Sequence, residues 1–210
     1  MEFLDYTLKE YINQTDSEEP TPGGGSVAAL AGSLGTALAK MLAHLSLGKK
    51  KFLDAPKKEK EQFIYAAKEI DHYKYELMNG IDTDAISYKA VLQAYRSKNH
   101  QDIQVALDAS ANVALDLQEY SAEALSFLPK LIKLGNKTLY SDLIAAAFLL
   151  ESCCEICALN VKANADLLED EVSKVYYLAE SKKFISKAKR YKNKTINEIN
   201  KVLNEPKANA

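Results

Sequence analysis

The chain has 210 residues, which suits one sizeable helical domain and is short for two. Hydrophobic residues make up 47% and charged residues 27%, as in soluble globular proteins, and the net charge of −2 gives no reason to expect nucleic acid or an acidic membrane as a partner. The N-terminal stretch lacks the pattern of a signal peptide. Cys153, Cys154 and Cys157 are clustered, which is no disulfide framework and suits a reducing compartment, so a cytoplasmic location is expected.

Helical spacing of apolar residues begins at the N-terminus, over residues 1–12. A loop with two prolines and three glycines follows over 13–25, and then a helix rich in small residues over 26–47. Lys40 and His44 lie within this apolar helix, so we interpret it as a buried helix and not as a membrane span. The next pattern predicts a helix over 57–95, with Gly80 as a candidate kink or break.

Three more helices are predicted, over 103–132, 139–164 and 169–203. Pro129 should bend or interrupt the first of them, and the second is apolar around most of its circumference, as in a central helix. The pattern contains no convincing strand. It therefore predicts an all-α bundle of five to six long helices forming a single domain over 1–210, with a frayed tail at 205–210.

The second helix carries a stripe of small residues, which lets another helix approach closely. The stripe consists of Ala28, Ala29, Gly32, Gly35, Ala39 and Ala43. Tight packing within one subunit and packing between subunits are both compatible with it.

The sharpest local motif is the glycine-rich turn Pro20–Ser26, which leads into this helix. Consecutive glycines let a ligand approach the main chain, and the N–H groups of the helix start can bind an anion or a carbonyl oxygen. A simple turn with Ser26 as the helix N-cap explains the same residues equally well.

The run from Pro20 to Phe52 resembles the N-terminal signature of the formiminotransferase-cyclodeaminase family, a helical module that also occurs as free-standing methenyltetrahydrofolate cyclohydrolases. Three later blocks resemble this family in the same order: Ile81–Ala85 followed by Tyr88, Gly135-Asn136 followed by Ser141-Asp142, and Asn160-Val161 followed by Asn164. There are departures, since Thr138 stands where a second asparagine is common and the stretch 96–101 lacks a usual Pro-Lys.

The resemblance implies a folate one-carbon enzyme that needs no metal or other cofactor. Hydrolysis of 5,10-methenyltetrahydrofolate to 10-formyltetrahydrofolate is the first expectation, because the chain carries no formiminotransferase domain. Formiminotetrahydrofolate cyclodeaminase, which releases ammonia, is the alternative, and a non-catalytic helical binding module is the alternative of another class.

Both reactions require a positioned group that moves protons. The candidates are Asp142, Asp84 and His44, although Asp142 or Ser141 could equally cap a helix and a lone histidine on an apolar helix is more often a hydrogen-bonded core residue. Asp82 and Asp84 face about 200° apart on a helix, so at most one should point into a site, with the other in solvent. The predicted substrate-binding residues are Pro22, Gly23, Gly24, Gly25, Ser26, Lys49, Lys50, Asp82, Asn136, Ser141, Asn160 and Asn164.

One feature of the sequence favours a homodimer, and another favours a folate substrate. Asp142 and Asn160 face the same way but lie about 27 Å apart along one helix, so they cannot contact the same atoms of a substrate within one subunit. If both act, either the folate stretches along a groove or Asn160 and Asn164 complete the site of a neighbouring subunit, and we favour the second. The cluster Lys49–Lys51 is an ordinary solvated helix end or, beside the glycine-rich helix, a site for the anionic glutamate or polyglutamate tail of a folate.

Overall fold

The computed structural model describes residues 2–204. The elements are a 3₁₀ turn at Phe3–Asp5, α1 Leu8–Thr15, α2 Gly24–Leu47, α3 Lys50–Leu53, α4 Lys57–Ser97, α5 His100–Ile132, a 3₁₀ turn at Lys137–Leu139, α6 Tyr140–Ala165 and α7 Glu171–Asn204. Five of these helices are long and no strand occurs in the described part of the chain, which confirms the all-α bundle. The tail predicted at 205–210 lies outside the described residues.

The N-terminal segment differs from the continuous helix predicted over 1–12. Thr7 has an extended backbone and is the N-cap of α1, where it forms a capping box with Glu10. These reciprocal bonds satisfy N–H groups at the start of α1 and favour a new helix there. The chain therefore forms a 3₁₀ turn, two extended residues, Tyr6 and Thr7, and then α1.

Gly80 and Pro129, the residues predicted to bend or interrupt helices, both lie inside continuous helices. α4 continues through Gly80, where a Cβ atom would lie 2.2 Å from Leu117 Cδ2, so this glycine permits close packing of α4 on α5. α5 continues through the buried Pro129 as far as Ile132. Proline removes one backbone hydrogen bond near the end of a helix whose neighbouring residues are buried, and that packing outweighs the lost bond.

The small-residue stripe of α2 packs inside the chain. A Cβ atom at Gly32 would lie 2.9 Å from Cys153 Sγ, and one at Gly35 would lie 3.0 Å from the Ala146 carbonyl oxygen. Both contacts are to α6, which runs antiparallel to α2. Of the two interpretations of the stripe, packing within the subunit is confirmed for these glycines.

Two helical segments, Gly24–Leu47 and Lys137–Ala165, are long and apolar enough to span a membrane by length and composition alone. Core helices of soluble proteins pass the same test. These two pack closely against each other in the bundle, which accounts for their apolar composition.

The antiparallel pair α2–α6 gives the bundle two ends that matter for the site. At the glycine end, Gly25 at the start of α2 meets Asp84 of α4 and Asn160 near the end of α6. At the lysine end, defined by Ser46 with Lys49, Lys50, Asn136 and Asp142, α2 finishes where α6 starts.

Candidate active site

A cavity of about 320 Å³ opens at the glycine end. It lies between the glycine-rich turn, the middle of α4, the first half of α5 and the last turns of α6. Its lining residues are Pro20, Thr21, Gly23, Gly24, Gly25, Asp84, Tyr88, Ser110, Ala114, Asn160, Ala163 and Asn164. Four segments far apart in sequence therefore form one site.

Asp84 joins α4 to the start of α2. Its Oδ2 accepts a hydrogen bond of 2.8 Å from the Ser26 backbone N–H, while the Ser26 hydroxyl donates to the Ile81 carbonyl at 2.5 Å. α2 begins at Gly24 with Gly23 as its N-cap, so the interpretation of Ser26 as N-cap was wrong. A carboxylate from another helix does the capping instead, where it also interacts favourably with the helix dipole.

Position 25 has no room for a side chain, because Asp84 and Asn160 lie close to the Gly25 backbone. A Cβ atom there would lie 1.9 Å from Asp84 Oδ1 and 2.7 Å from Asn160 Nδ2. The backbone N–H groups of Gly24 and Gly25 donate to no acceptor among the described residues. The cavity thus places a carboxylate oxygen, an amide group and the free N–H groups of a helix start around one space.

Burial raises the pKa of the Asp84 carboxyl above its ordinary value, and the hydrogen bonds from Ser26 oppose this effect. Desolvation disfavours the charged form, whereas donors favour it. A carboxyl group whose pKa is moved toward neutrality can both accept and donate a proton, as acid–base catalysis requires.

Asn164 is oriented by its neighbours. Its Nδ2 donates to Ser110 Oγ at 3.3 Å and to the Asn160 carbonyl at 3.0 Å, and Ser87 Oγ lies 3.4 Å from Ser110 Oγ. Since both amide hydrogens are used, the Asn164 side-chain oxygen remains as an acceptor for a ligand in the cavity.

Asp82 has a different position from Asp84. Its Oδ1 accepts from the Phe3 N–H at 2.6 Å and its Oδ2 from the Leu4 N–H at 3.4 Å. The prediction that one of the two carboxylates points into a site agrees with this geometry. The expectation that the other is simply solvated was wrong, because Asp82 anchors the N-terminal segment to α4.

Six predicted site residues lie at the opposite end of the α2–α6 pair, and none of them lines the cavity: His44, Lys49, Lys50, Asn136, Ser141 and Asp142. The lysines follow the end of α2, about 36 Å from its start, so they are not beside the glycine turn within one chain. His44 is exposed, so the core role considered for it was wrong.

The polar residues of the lysine end hold turns together. Ser46 Oγ accepts from the Asn136 N–H at 2.9 Å and donates to the Leu42 carbonyl. The Asn136 side chain accepts from Thr138 and forms the N-cap of the 3₁₀ turn. Asp142 lies in the first turn of α6, where a negative charge is favourable.

Part of the cavity wall was not predicted from the sequence. Thr21 and Pro20 stood inside the recognised turn but were not assigned to the site, and Ser110, Ala114 and Ala163 carry no local signal. Ser110 is a small polar residue on an apolar helix face, which is common in helix packing. Its role depends on Asn164, a residue 54 positions away.

Among residues 2–204, no group of three or more His, Cys, Asp or Glu side chains gathers as metal ligands do. Cys153, Cys154 and Cys157 are free and buried. Burial raises the pKa of Cys154 to about 12, so its thiol is neutral at physiological pH.

The chain is similar in sequence to known enzymes. The chain is 28% identical over 173 residues to a methenyltetrahydrofolate cyclohydrolase of Methylorubrum extorquens, covering 78% of this chain and 81% of the relative. It is 30% identical over 182 residues to the formimidoyltransferase-cyclodeaminase of Mus musculus, covering 81% of this chain but 32% of that longer protein.

The fold is also that of a solved structure. The crystal structure of a formiminotetrahydrofolate cyclodeaminase from Thermotoga maritima superimposes with a TM-score of 0.86 at 24% identity, covering 95% of this chain and 98% of that one. The sequence profile of the family described as formiminotransferase-cyclodeaminase matches residues 7–183. The chain therefore belongs to the formiminotransferase-cyclodeaminase family.

Proposed function

We propose that this protein is a methenyltetrahydrofolate cyclohydrolase whose active site is the cavity around Asp84. The observation that carries the proposal is the half-buried Asp84 carboxyl, with a raised pKa, beside unpaired backbone N–H groups in a cavity. Further support comes from the cyclohydrolase relative, which aligns along most of both chains.

The reaction requires little of the protein except positioning and one proton relay. The oxygen of a water molecule bonds to the methenyl carbon, and Asp84 accepts a proton from that water. The C–N5 bond then breaks, N5 receives the proton from Asp84, and the remaining hydroxyl proton leaves to solvent as the formyl group forms on N10. The N–H groups of Gly24 and Gly25 are placed to donate hydrogen bonds to the carbon-bound oxygen as it loses its proton and becomes the formyl carbonyl.

Cyclodeamination is the second candidate, favoured by the mouse relative. In that reaction N10 attacks the formimino carbon on N5, and ammonia leaves after proton transfer. The same carboxyl group can move the proton, so the cavity suits either substrate. Ammonia release from 5-formiminotetrahydrofolate distinguishes the two activities.

We assign the substrate contacts at the glycine end to Gly23, Gly24, Gly25, Asn160 and Asn164. Ser26, predicted as a substrate contact, is fully buried and holds Asp84 instead, and Pro22 supports the turn. Asn164 offers an oxygen acceptor and the helix start offers donors, so the site can pair with the mixed donors and acceptors of a pterin ring. No metal or other cofactor takes part in this scheme. We place the protein in the cytoplasm, free of membrane and nucleic acid, where its three buried thiols stay reduced.

We also propose a homodimer formed through the outer face of α2 and α6. Val27, Leu34 and Leu45 lie along one line of α2 and are 37%, 51% and 51% exposed, and Leu159 of α6 is 68% exposed. A two-fold axis near the middle of α2 would pack the two copies of this helix antiparallel, with Val27 opposite the partner's Leu45.

Such a dimer explains why the predicted residues lie at both ends. The antiparallel arrangement brings the lysine end of one subunit to the glycine end of its partner. His44, Ser141 and Asp142 would then approach the partner's cavity, and Lys49 and Lys50 would bind the glutamate or polyglutamate tail of a folate seated there.

The test of the activity follows the near-ultraviolet absorbance of methenyltetrahydrofolate with and without the protein. We expect rapid loss of absorbance that falls about 100-fold or more in Asp84→Asn, because the proton relay is removed. Asp82→Asn is the matched control and should keep most of the activity. Hydrolysis no faster than in buffer would refute the cyclohydrolase assignment.

The shared site is tested by mixing subunits. If Asp84→Asn and Asp142→Asn are each inactive, mixed dimers contain one intact site in two, and a random mixture should recover about one quarter of the wild-type activity. A fully active Asp142→Asn variant, or a mixture that recovers nothing, would refute the contribution of Asp142 from the partner subunit.

A further inference from the structure

Tyr11 of α1 is buried beside the proposed site without a hydrogen-bond partner. The residue is 7% exposed, and its hydroxyl oxygen is one of two buried side-chain atoms without a partner among the described residues. Buried hydroxyl groups are nearly always paired in folded proteins, since an unpaired one has lost its bonds to water. An unpaired hydroxyl at this position therefore requires an explanation.

Its surroundings place Tyr11 between the N-terminal segment and the cavity wall. The ring contacts Phe3 edge-on, with centroids 6.2 Å apart, and Phe3 is itself held by Asp82. One turn further along α1, Gln14 Nε2 donates to the carbonyl of Thr21, which lines the cavity. α1 thus covers the glycine-rich turn, with Tyr11 as its one buried side chain.

The charges near the phenol are the two carboxylates of α4. Burial, then Asp84 and then Asp82 raise the pKa of Tyr11 to about 12, so the hydroxyl keeps its proton and can donate it to an acceptor. Both oxygens of Asp82 already accept backbone N–H groups. In Asp84, Oδ2 accepts from Ser26, whereas Oδ1 accepts from none of the described residues.

We propose that Tyr11 is a positioning residue whose hydroxyl donates a hydrogen bond to the Asp84 carboxylate when the cavity is filled. The unpaired Tyr11 hydroxyl is a donor without an acceptor, and Asp84 Oδ1 is an acceptor without a donor. Both belong to the region where α1 covers the glycine-rich turn and Asp84 binds the start of α2. Tyr11 is absent from the cavity wall, so contact with Asp84 is favoured over contact with substrate. The inference rests on the proposed role of Asp84.

The bond has a definite consequence for acid–base chemistry. Donation to a carboxylate stabilises the charged form, so it opposes the effect of burial on Asp84. The titratable groups around Asp84 are Tyr11 from α1, Tyr88 one turn further along α4 on the same cavity wall, and the Cys157 thiol from α6, which Cys153 and burial keep neutral. Asp82 faces away from Asp84, toward the backbone of Phe3 and Leu4. Of the two tyrosines, Tyr11 is the one whose hydroxyl is buried without a partner among the described residues.

The test compares Tyr11→Phe with Tyr6→Phe, a matched loss of a hydroxyl from a neighbouring ring that also contacts Phe3. The carboxyl titration of Asp84 is followed by carbon NMR in aspartate-labelled protein with bound folinic acid, its resonance being assigned from its loss in Asp84→Asn. In Tyr11→Phe we expect a higher pKa of Asp84, a low-pH limb of kcat moved to higher pH, and KM within about twofold. Tyr6→Phe should change none of these.

The outcomes separate this inference from the proposed function. An Asp84 titration that is unchanged in a folded Tyr11→Phe protein overturns the positioning role, whatever the activity. A titration that moves in a chain without folate activity supports the pairing and refutes the proposed function. The thermal midpoint serves as a folding control and should not fall in Tyr11→Phe, because the lost hydroxyl has no partner in the free protein.

Discussion

The two ends of the α2–α6 pair use similar residues for different purposes. At the glycine end, Asp84, Asn160 and Asn164 surround a cavity, with backbone donors left free. At the lysine end, the hydrogen bonds of Ser46 and Asn136 connect α2 to the turn before α6. Polar residues within apolar helices therefore mark a binding site where several of their atoms remain unpaired, and they mark a structural joint where their hydrogen bonds connect two helices.

The largest effect should come from adding one methyl group at the glycine end. In Gly25→Ala the new Cβ would clash with Asp84 and Asn160, and displacement of these groups should lower activity about 100-fold or more. Gly48→Ala is the control at the lysine end, where a Cβ atom would meet nothing within 4 Å. Methenyltetrahydrofolate hydrolysis is measured for both variants. Equal activities would show that the glycine end does not hold the reacting groups.

Asp84→Asn should separate activity from stability. Because the pKa of Asp84 is raised on folding, the folded state binds more protons than the unfolded state above the ordinary aspartate value of about 3.9, and Asp84 destabilises the fold as pH rises through that window. The variant should therefore be at least as stable as wild type at pH 7, with a flatter dependence on pH. Urea unfolding at pH 4 to 7 checks this, and a clear loss of stability at pH 7 would contradict it.

Asp82→Ala should affect stability more than chemistry. It leaves the N–H groups of Phe3 and Leu4 without their acceptor, which should lower the free energy of unfolding by about 2 kcal/mol. Substrate turnover per folded molecule should change much less than in Asp84→Asn. A loss of activity as large as in that variant would show that Asp82 belongs to the site.

Ser46→Ala should have the smallest effect. Removing the hydroxyl leaves the Asn136 N–H unpaired at the joint between α2 and the turn before α6, at a cost of about 1 kcal/mol. Thermal unfolding measures this loss, and the activity of folded protein should remain near that of wild type. A strong loss of activity would contradict the purely structural role of Ser46 and show that it belongs to the active site.

Some features of the site were readable in local sequence. The turn Pro20–Ser26 and the pair Asn160 and Asn164 were recognised as motifs, and the structure brings them to one cavity. The spacing of Asp82 and Asp84 showed that they face different ways, but it could not tell which one faces the cavity. Which carboxylate faces the cavity depends on how the N-terminal segment and α2 pack against α4. Asp82 meets the backbone of Phe3, whereas Asp84 meets Ser26 at the start of α2.

The amino-acid sequence was sufficient to predict the five long helices, because the spacing of apolar residues and the shortage of glycine and proline leave few alternatives. It also determined that small residues of α2 must pack closely against another helix. Tertiary structure alone decided that Gly80 and Pro129 sit in continuous helices, that Tyr11 is buried near Asp84, and that Ser110 orients Asn164. These contacts join residues distant in the chain, and local patterns carry no information about such partners.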